Sequence, residues 1–192
     1  IYKNYTPSGT KDLSQPRMYF IDENGKKIDA IRQQIENWKN EDLISETEYF
    51  VLLACLIETI GFYSNIAGVY AAFHKTWDFR ALRPLELRTI KFIDNHQKNI
   101  VYNDDSMDLL DKVNVDILYL DPPYNERQYA PNYHILETIA KYDEPELRGI
   151  TGMRDYASQK SRFCNPNTAL EDLDKIAKNT KYKNLVLSYN SE

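Results

Sequence analysis

Cysteine is scarce: Cys55 and Cys164 are the only two in 192 residues. Two thiols cannot build a disulfide framework, so a reducing, cytoplasmic setting is expected. Histidine is scarce as well. His74, His96 and His134 are scattered and stand at no ligand spacing to either cysteine, so no zinc or other metal is expected. Long apolar runs are missing too. The nearest thing to a membrane span is 49–73, whose longest unbroken apolar run is Phe50 to Ile57. Glu58, Thr59, Ser64 and Asn65 interrupt its middle, and a mid-span carboxylate costs roughly 3 kcal/mol in a bilayer. A buried helix of a globular domain is expected there, and no membrane partner. Residues 1–20 are polar and lack the apolar block of a signal peptide. Bulk positive charge is absent as well: Lys+Arg 24 against Asp+Glu 29 leaves a net charge of −5. The chain cannot coat nucleic acid by overall charge, so any basic surface must be local. No repeat and no low-complexity tract is visible. The chain does have 42% hydrophobic and 28% charged residues, a globular composition that excludes disorder throughout.

Local patterns place the elements. Pro7-Ser8-Gly9 and Glu23-Asn24-Gly25 read as turns. Ile28, Ile31, Ile35 and Trp38 recur at helical spacing and predict a helix from Lys27 to Asn40. Ser45 with Glu48 has the form of a capping box that opens the next helix, to be broken at Gly61 or Gly68. Residues 74–98 are locally basic. Asn99 to Tyr102 reads as a strand, Asp104 to Leu110 as a short helix and Asp116 to Leu120 as a strand. Asn132 to Tyr142 and Asn167 to Asn179 read as helices, and Leu185 to Leu187 begins a last strand. Helix and strand thus alternate in the second half, the layout of a parallel α/β sheet. Residues 1–97 are expected to be mostly helical and 98–192 to form part of a doubly wound sheet.

Asp121-Pro122-Pro123-Tyr124 directly follows a buried-type strand. Ligands of open parallel sheets sit beyond the carboxyl ends of the strands. By composition alone the tetrad arises about once in a thousand chains of this length, so a plain surface turn is the weaker reading. Two prolines stiffen the backbone and remove two N–H donors. What remains is a rigid corner edged by acceptors, suited to a substrate that brings donors. A planar amino group on an aromatic ring is such a substrate. Asp121 and the carbonyl of Pro122 would each accept one N–H, drawing the nitrogen lone pair out of conjugation and aiming it at an electrophile. Tyr124 would lie against the ring, a stack worth roughly 1–3 kcal/mol per base. This is catalysis by positioning and electrostatics; Asp121 must simply be ionised.

The tetrad resembles that of the S-adenosylmethionine-dependent DNA adenine-N6 methyltransferases, in particular the Dam-like group. The surrounding text agrees: Asn103-Asp104-Asp105-Ser106 before it, Asn125 to Tyr133 after it, and Val186-Leu187-Ser188-Tyr189-Asn190 further on. The likeness covers residues 98–192 well and 1–97 loosely. It implies an α/β fold: part of a Rossmann-like methyltransferase sheet (98–192) with a mostly helical target-recognition insertion (1–97). It implies that Asp121, Pro122 and Tyr124 hold the target amino group while Pro123 sets the turn. Asp105 and Ser106, with Asp104 as a weaker candidate, would contact the cofactor's adenine; capping of a helix N-terminus is the other reading of the two aspartates. Asn125, Tyr129 and Tyr133 would wall the substrate pocket, or would simply enter the next helix. The resemblance further implies, as substrate, an adenine extruded from double-stranded DNA, in a restriction-modification setting where a restriction endonuclease is a possible functional partner.

The chain also departs from that family. Gly9, Gly25, Gly61, Gly68, Gly149 and Gly152 form no G-x-G, so the family's F-x-G-x-G cofactor loop is missing. The loop is expected before Ile1, the chain being a fragment that is inactive alone. Its start at Ile1 and its stop at Ser191-Glu192, just after a strand-like run, suggest the same. Lys75, Arg80 and Arg83, interleaved with Trp77 and Phe79, are candidate DNA contacts; Arg148, Arg154, Lys160 and Arg162 form a second basic group. Each reads more readily as a solvated face. Two rivals stay open: RNA adenine or an amide nitrogen as acceptor, although amide methylators usually carry Asn where Asp121 stands, and a non-catalytic DNA-binding or specificity subunit.

Overall fold

The computed structural model describes residues 1–189, so Asn190 of the last quoted motif lies outside the described residues. In chain order the helices and strands are α1 (Tyr2–Tyr5), α2 (Asp22–Asn40), α3 (Glu46–Ile60), β1 (Asn114–Leu120), α4 (Tyr129–Asn132), α5 (His134–Lys141), β2 (Leu147–Arg148), β3 (Met153–Arg154), α6 (Pro166–Asn179) and β4 (Lys181–Leu187). They gather into two compact units. One comprises 1–93 with 131–155, the other 94–130 with 156–189. The helix expected from Asn132 to Tyr142 therefore folds with the first unit, as α5.

In the first unit α3 opens as its sequence predicts. The Ser45 Oγ accepts the Glu48 N–H and the Glu48 carboxylate accepts the Ser45 N–H, a complete capping box. Such a cap stabilises a helix by about 1 kcal/mol. Leu53, Leu56 and Ile60 carry its buried face, while Glu58 stays exposed. No helix among the described residues is long and apolar enough to cross a membrane. α2 begins earlier than expected, at Asp22. The turn expected at Glu23-Asn24-Gly25 is instead its first turn, where Asp22 and Glu23 favour the positive end of the helix dipole. Asn24 is buried, donates to the Arg83 carbonyl at 2.9 Å and accepts from the Leu85 N–H at 2.8 Å. Gly25 faces α1 so closely that a Cβ there would lie 2.4 Å from Cγ2 of Thr6. These two residues serve packing, not turning.

The core of this unit joins Tyr5, Tyr19, Phe20, Ile28, Ile35, Leu56, Ile60, Leu85, Ile135 and Ile139. Buried arginines tie its edges. Arg32 donates to the last-turn carbonyls of α5, Ile139 at 2.9 Å and Ala140 at 3.4 Å, and pairs with Glu36 at 2.6 Å. Arg17 donates to the carbonyls of Asn4, Gly149 and Ile150. That grip fixes the short antiparallel β2–β3 hairpin, which the sequence reading lacks. Gly152 in its turn has φ +70°, and a Cβ there would meet the Arg17 guanidinium at 2.7 Å.

In the second unit β1 and β4 pair in parallel, with Ile117 opposite Asn184, Leu118 opposite Leu185 and Leu120 opposite Leu187. β4 starts at Lys181, four residues before the expected Leu185. α6 runs between them in sequence; Asn165 caps it by accepting the Asn167 N–H, and Pro166 fills its first position. The two-residue β2–β3 pairing and this two-stranded sheet are the sheets among the described residues. The architecture is thus mixed α/β with small sheets. The strand expected from Asn99 to Tyr102 is not formed: Val101 is 91% exposed, and the segment pairs with none of the described strands. β-favouring residues without a partner do not make a strand. The helix expected from Asp104 to Leu110 is a 3₁₀ turn over Ser106–Leu109.

Candidate active site

β1 delivers its carboxyl end to the tetrad. Asp121 follows Leu120 directly and is exposed, Pro122 and Pro123 are half-buried, and Tyr124 is 44% exposed. The Asp121 carboxylate has no hydrogen-bond or ion-pair partner among the described residues. The parallel register puts the end of β4 beside this corner, and the Ser188 N–H donates to the Leu120 carbonyl at 2.8 Å. The rings of Tyr124 and Tyr189 then meet edge to face, with centroids 6.5 Å apart and planes at 71°. A free carboxylate, a proline corner and two half-exposed rings therefore share one end of the sheet. In the sequence Tyr189 stands only as part of a strand motif. The signal for it was the strand itself, since parallel strands end on the same side.

The turn that starts at Asp105 belongs to the same region. Ser106 lines a small apolar cavity together with Leu118 and Leu120 of β1 and with Ile176 and Thr180. At 130 Å³ the cavity is smaller than a ligand pocket of several hundred Å³, so it is a packing gap. Asp105 caps the turn: its Oδ1 accepts the Met107 N–H at 2.9 Å. Its second oxygen has no hydrogen-bond partner among the described residues, so capping and acceptance of a ligand's N–H or O–H are compatible. Asp104 is exposed and makes neither contact.

The remaining candidates spread out. Asn125 turns its own loop, its Oδ1 accepting the Arg127 N–H at 2.9 Å. Tyr129 opens α4 and is about half exposed; Tyr133, similarly exposed, belongs to the first unit. Of the basic residues, Lys75 and Arg83 are exposed, but Arg80 is committed to Asp78 with contacts of 2.8, 3.2 and 3.3 Å. The Arg80 side chain and its backbone N–H hold the Asp78 carboxyl down at about 2. The aspartate two positions before Arg80 was the sequence signal for this pairing. The second basic group is divided: Arg148 and Arg154 lie in the first unit, Lys160 and Arg162 in the second. Arg154 is buried on Asp143 at 2.6 Å, and Arg162 holds buried Asp172 at 2.7 Å. Among the described residues no cluster of three or more His, Cys, Asp or Glu could hold a metal ion, and both cysteines are free.

Comparison with known proteins gives a consistent set. The family model described as D12 class N6 adenine-specific DNA methyltransferase matches residues 1–192. Among curated proteins, the Type II methyltransferase M.FokI of Planomicrobium okeanokoites is 47% identical over 189 residues, which is 98% of this chain and 29% of that protein. Modification methylase StsI of Streptococcus sanguinis is 43% identical over 188 residues, 98% of this chain and 28% of its own length. The Type II methyltransferase M.NlaIII of Neisseria lactamica is 43% identical over 195 residues, all of this chain and 56% of that protein. The chain thus spans between roughly a quarter and just over half of these relatives. No solved structure matches.

Proposed function

The chain belongs to the D12 class of N6 adenine-specific DNA methyltransferases, and on that premise we propose that its second unit carries the acceptor half of an active site methylating adenine N6 in duplex DNA. What carries the proposal is the place of Asp121-Pro122-Pro123-Tyr124 at the carboxyl end of a parallel strand, with Tyr189 at the end of the neighbouring one. An adenine within a duplex hides its amino nitrogen, so the nucleotide is turned out of the stack at a cost of a few kcal/mol. Tyr124 and Tyr189 flank the extruded base. The Asp121 carboxylate and the Pro122 carbonyl accept its two amino hydrogens, and the nitrogen lone pair points away from the ring. Because the corner is rigid, the acceptors need no rearrangement as charge shifts, the condition under which such electrostatic stabilisation is largest. S-adenosylmethionine, when bound, supplies an electrophilic methyl group on a positively charged sulfur. On this side of the site Asp105, through its free oxygen, and Ser106 hold the cofactor's nucleoside, with Asp104 as a weaker contact.

The parallel β1–β4 pair is part of a larger Rossmann-like sheet, and the glycine loop belongs to a longer parent chain. Support comes from the relatives' greater length and from the sheet itself. Parallel sheets occur almost only with both faces covered, yet Ile117, Tyr119, Val186 and Leu187 are all exposed. The helical first part acts in target recognition. The relatives' names support a restriction-modification role, with a restriction endonuclease acting on the same DNA.

The test is labelled methyl transfer by the full-length parent protein to unmethylated duplex DNA, with RNA of the same sequence alongside. Transfer to DNA is expected. Asp121→Ala should lower the rate by roughly two to three orders of magnitude without altering the melting temperature, because the side chain is exposed and unpartnered. Unchanged transfer by the variant would remove the tetrad from the mechanism.

A further inference from the structure

We propose that Arg83 and Arg88, each laid over an aromatic ring at the end of α3, form a two-point clamp for the phosphate backbone of duplex DNA; the partner, though not the geometry, rests on the reading above. After Ile60 the chain makes a 3₁₀ turn, Gly61–Tyr63, that leaves Phe62 half-exposed and buries Tyr63. Residues 83–88 return across this end of the helix and are pinned there. The Arg83 carbonyl accepts from Asn24 at 2.9 Å, the Leu85 N–H donates to Asn24 at 2.8 Å, and the Arg88 N–H donates to Oγ1 of Thr59 at 2.9 Å. The backbone is thus fixed at both arginines. The Arg88 guanidinium carbon lies 4.2 Å from the Phe62 ring centroid, and that of Arg83 lies 5.8 Å from the Tyr63 ring centroid.

Both side chains are exposed, and neither has an ion pair or a side-chain hydrogen bond among the described residues. Glu86 stands between them in sequence and is exposed, yet it pairs with neither. Arg80 differs in kind, its fork being filled by Asp78. A ring beneath a guanidinium holds its face and leaves its N–H edge to solvent. That edge is a planar fork matched to the oxygens of a phosphodiester, and stacking lowers the ordering cost before any ligand arrives. On a chain of net charge −5, two such unpaired, oriented cations form the local basic surface that DNA binding requires. An enzyme that turns a base out of a duplex must grip the backbone while it does so.

The experiment measures binding of a fluorescent unmethylated duplex by the full-length parent protein, without cofactor, across a salt series. Wild type is compared with Arg80→Gln, Arg83→Gln, Arg88→Gln and Arg88→Lys. Arg83→Gln and Arg88→Gln are each expected to lower the slope of log affinity against log salt by about 0.9 and to weaken binding roughly tenfold. Arg80→Gln should change affinity by less than about twofold, since an exposed pair contributes little. Arg88→Lys should restore the slope and only part of the affinity. Melting temperatures should match wild type. Unchanged slopes, an equal loss in Arg80→Gln, or lower melting with unchanged slopes would each overturn the clamp. Tighter binding of single-stranded RNA with the same slope changes would overturn duplex DNA as its partner. If instead the clamp variants behave as expected while Asp121→Ala leaves methyl transfer intact, the clamp stands and the reading of the tetrad fails.

Discussion

The two units divide burial and chemistry unequally. The first has a continuous core of aromatic and branched aliphatic side chains, with buried arginines satisfied by carbonyls and carboxylates. The second holds the tetrad, but of its apolar side chains only Cys164, Ala169 and Ile176 are buried among the described residues. Its strands expose apolar side chains instead. The tetrad therefore sits where self-made packing is thinnest, and rigidity there comes from covalent structure, two consecutive prolines, rather than from surrounding side chains. The first unit is the opposite case, in which packing holds buried polar groups such as Arg17 and Arg32 against backbone carbonyls.

Two changes would break or sharpen that contrast. Leu56→Ala in the first unit removes a fully buried side chain and should cost about 2–5 kcal/mol in denaturant unfolding. Leu187→Ala, at a half-exposed position of β4, should cost under about 1 kcal/mol in the same assay. Similar losses at the two sites would erase the distinction.

His134 gives the contrast a pH signature. Its Nε2–H donates to the Tyr70 carbonyl at 2.9 Å, while Nδ1 is buried without a partner. Burial, reinforced by Arg17 and Arg154, lowers its pKa from 6.5 to about 4. The folded state holds the ring neutral where the unfolded state takes up a proton. Stability from this group is present above about pH 6.5 and is lost as pH falls toward about 4, up to about 3 kcal/mol in all. His134→Gln should flatten that part of a stability–pH curve; an unchanged curve would assign the acid sensitivity to other groups.

A last change concerns the site. Tyr124→Ala should weaken productive binding of the flipped base by roughly 1–3 kcal/mol, read as a fall in kcat/KM of methyl transfer, with no change in melting. A fall in melting temperature would mean that the Tyr124–Tyr189 contact is structural.

The capping box of α3 was legible because it is an i to i+3 relation, complete within four residues. The tetrad and its strand were legible for the same reason. Glu23-Asn24-Gly25 misled because turn-type residues were recruited for distant contacts: Asn24 reaches Arg83 and Leu85, and Gly25 makes room for Thr6. Asn99 to Tyr102 misled in the other direction, since strand propensity makes no strand where the segment pairs with no neighbour. The β2–β3 hairpin left no periodic signal in strands of two residues; a distant arginine holds it.

Sequence by itself determined the proline corner, the strand that presents it, and the caps and periodic faces of the main helices, because each is written within one or two turns of chain. Tertiary structure alone decided that Tyr189 stands beside Tyr124, that His134 is sealed from solvent, and that Arg83 and Arg88 lie over aromatic rings. Those outcomes depend on strand register, burial and ring stacking between residues that no short spacing connects, so they exist only once the chain has closed on itself.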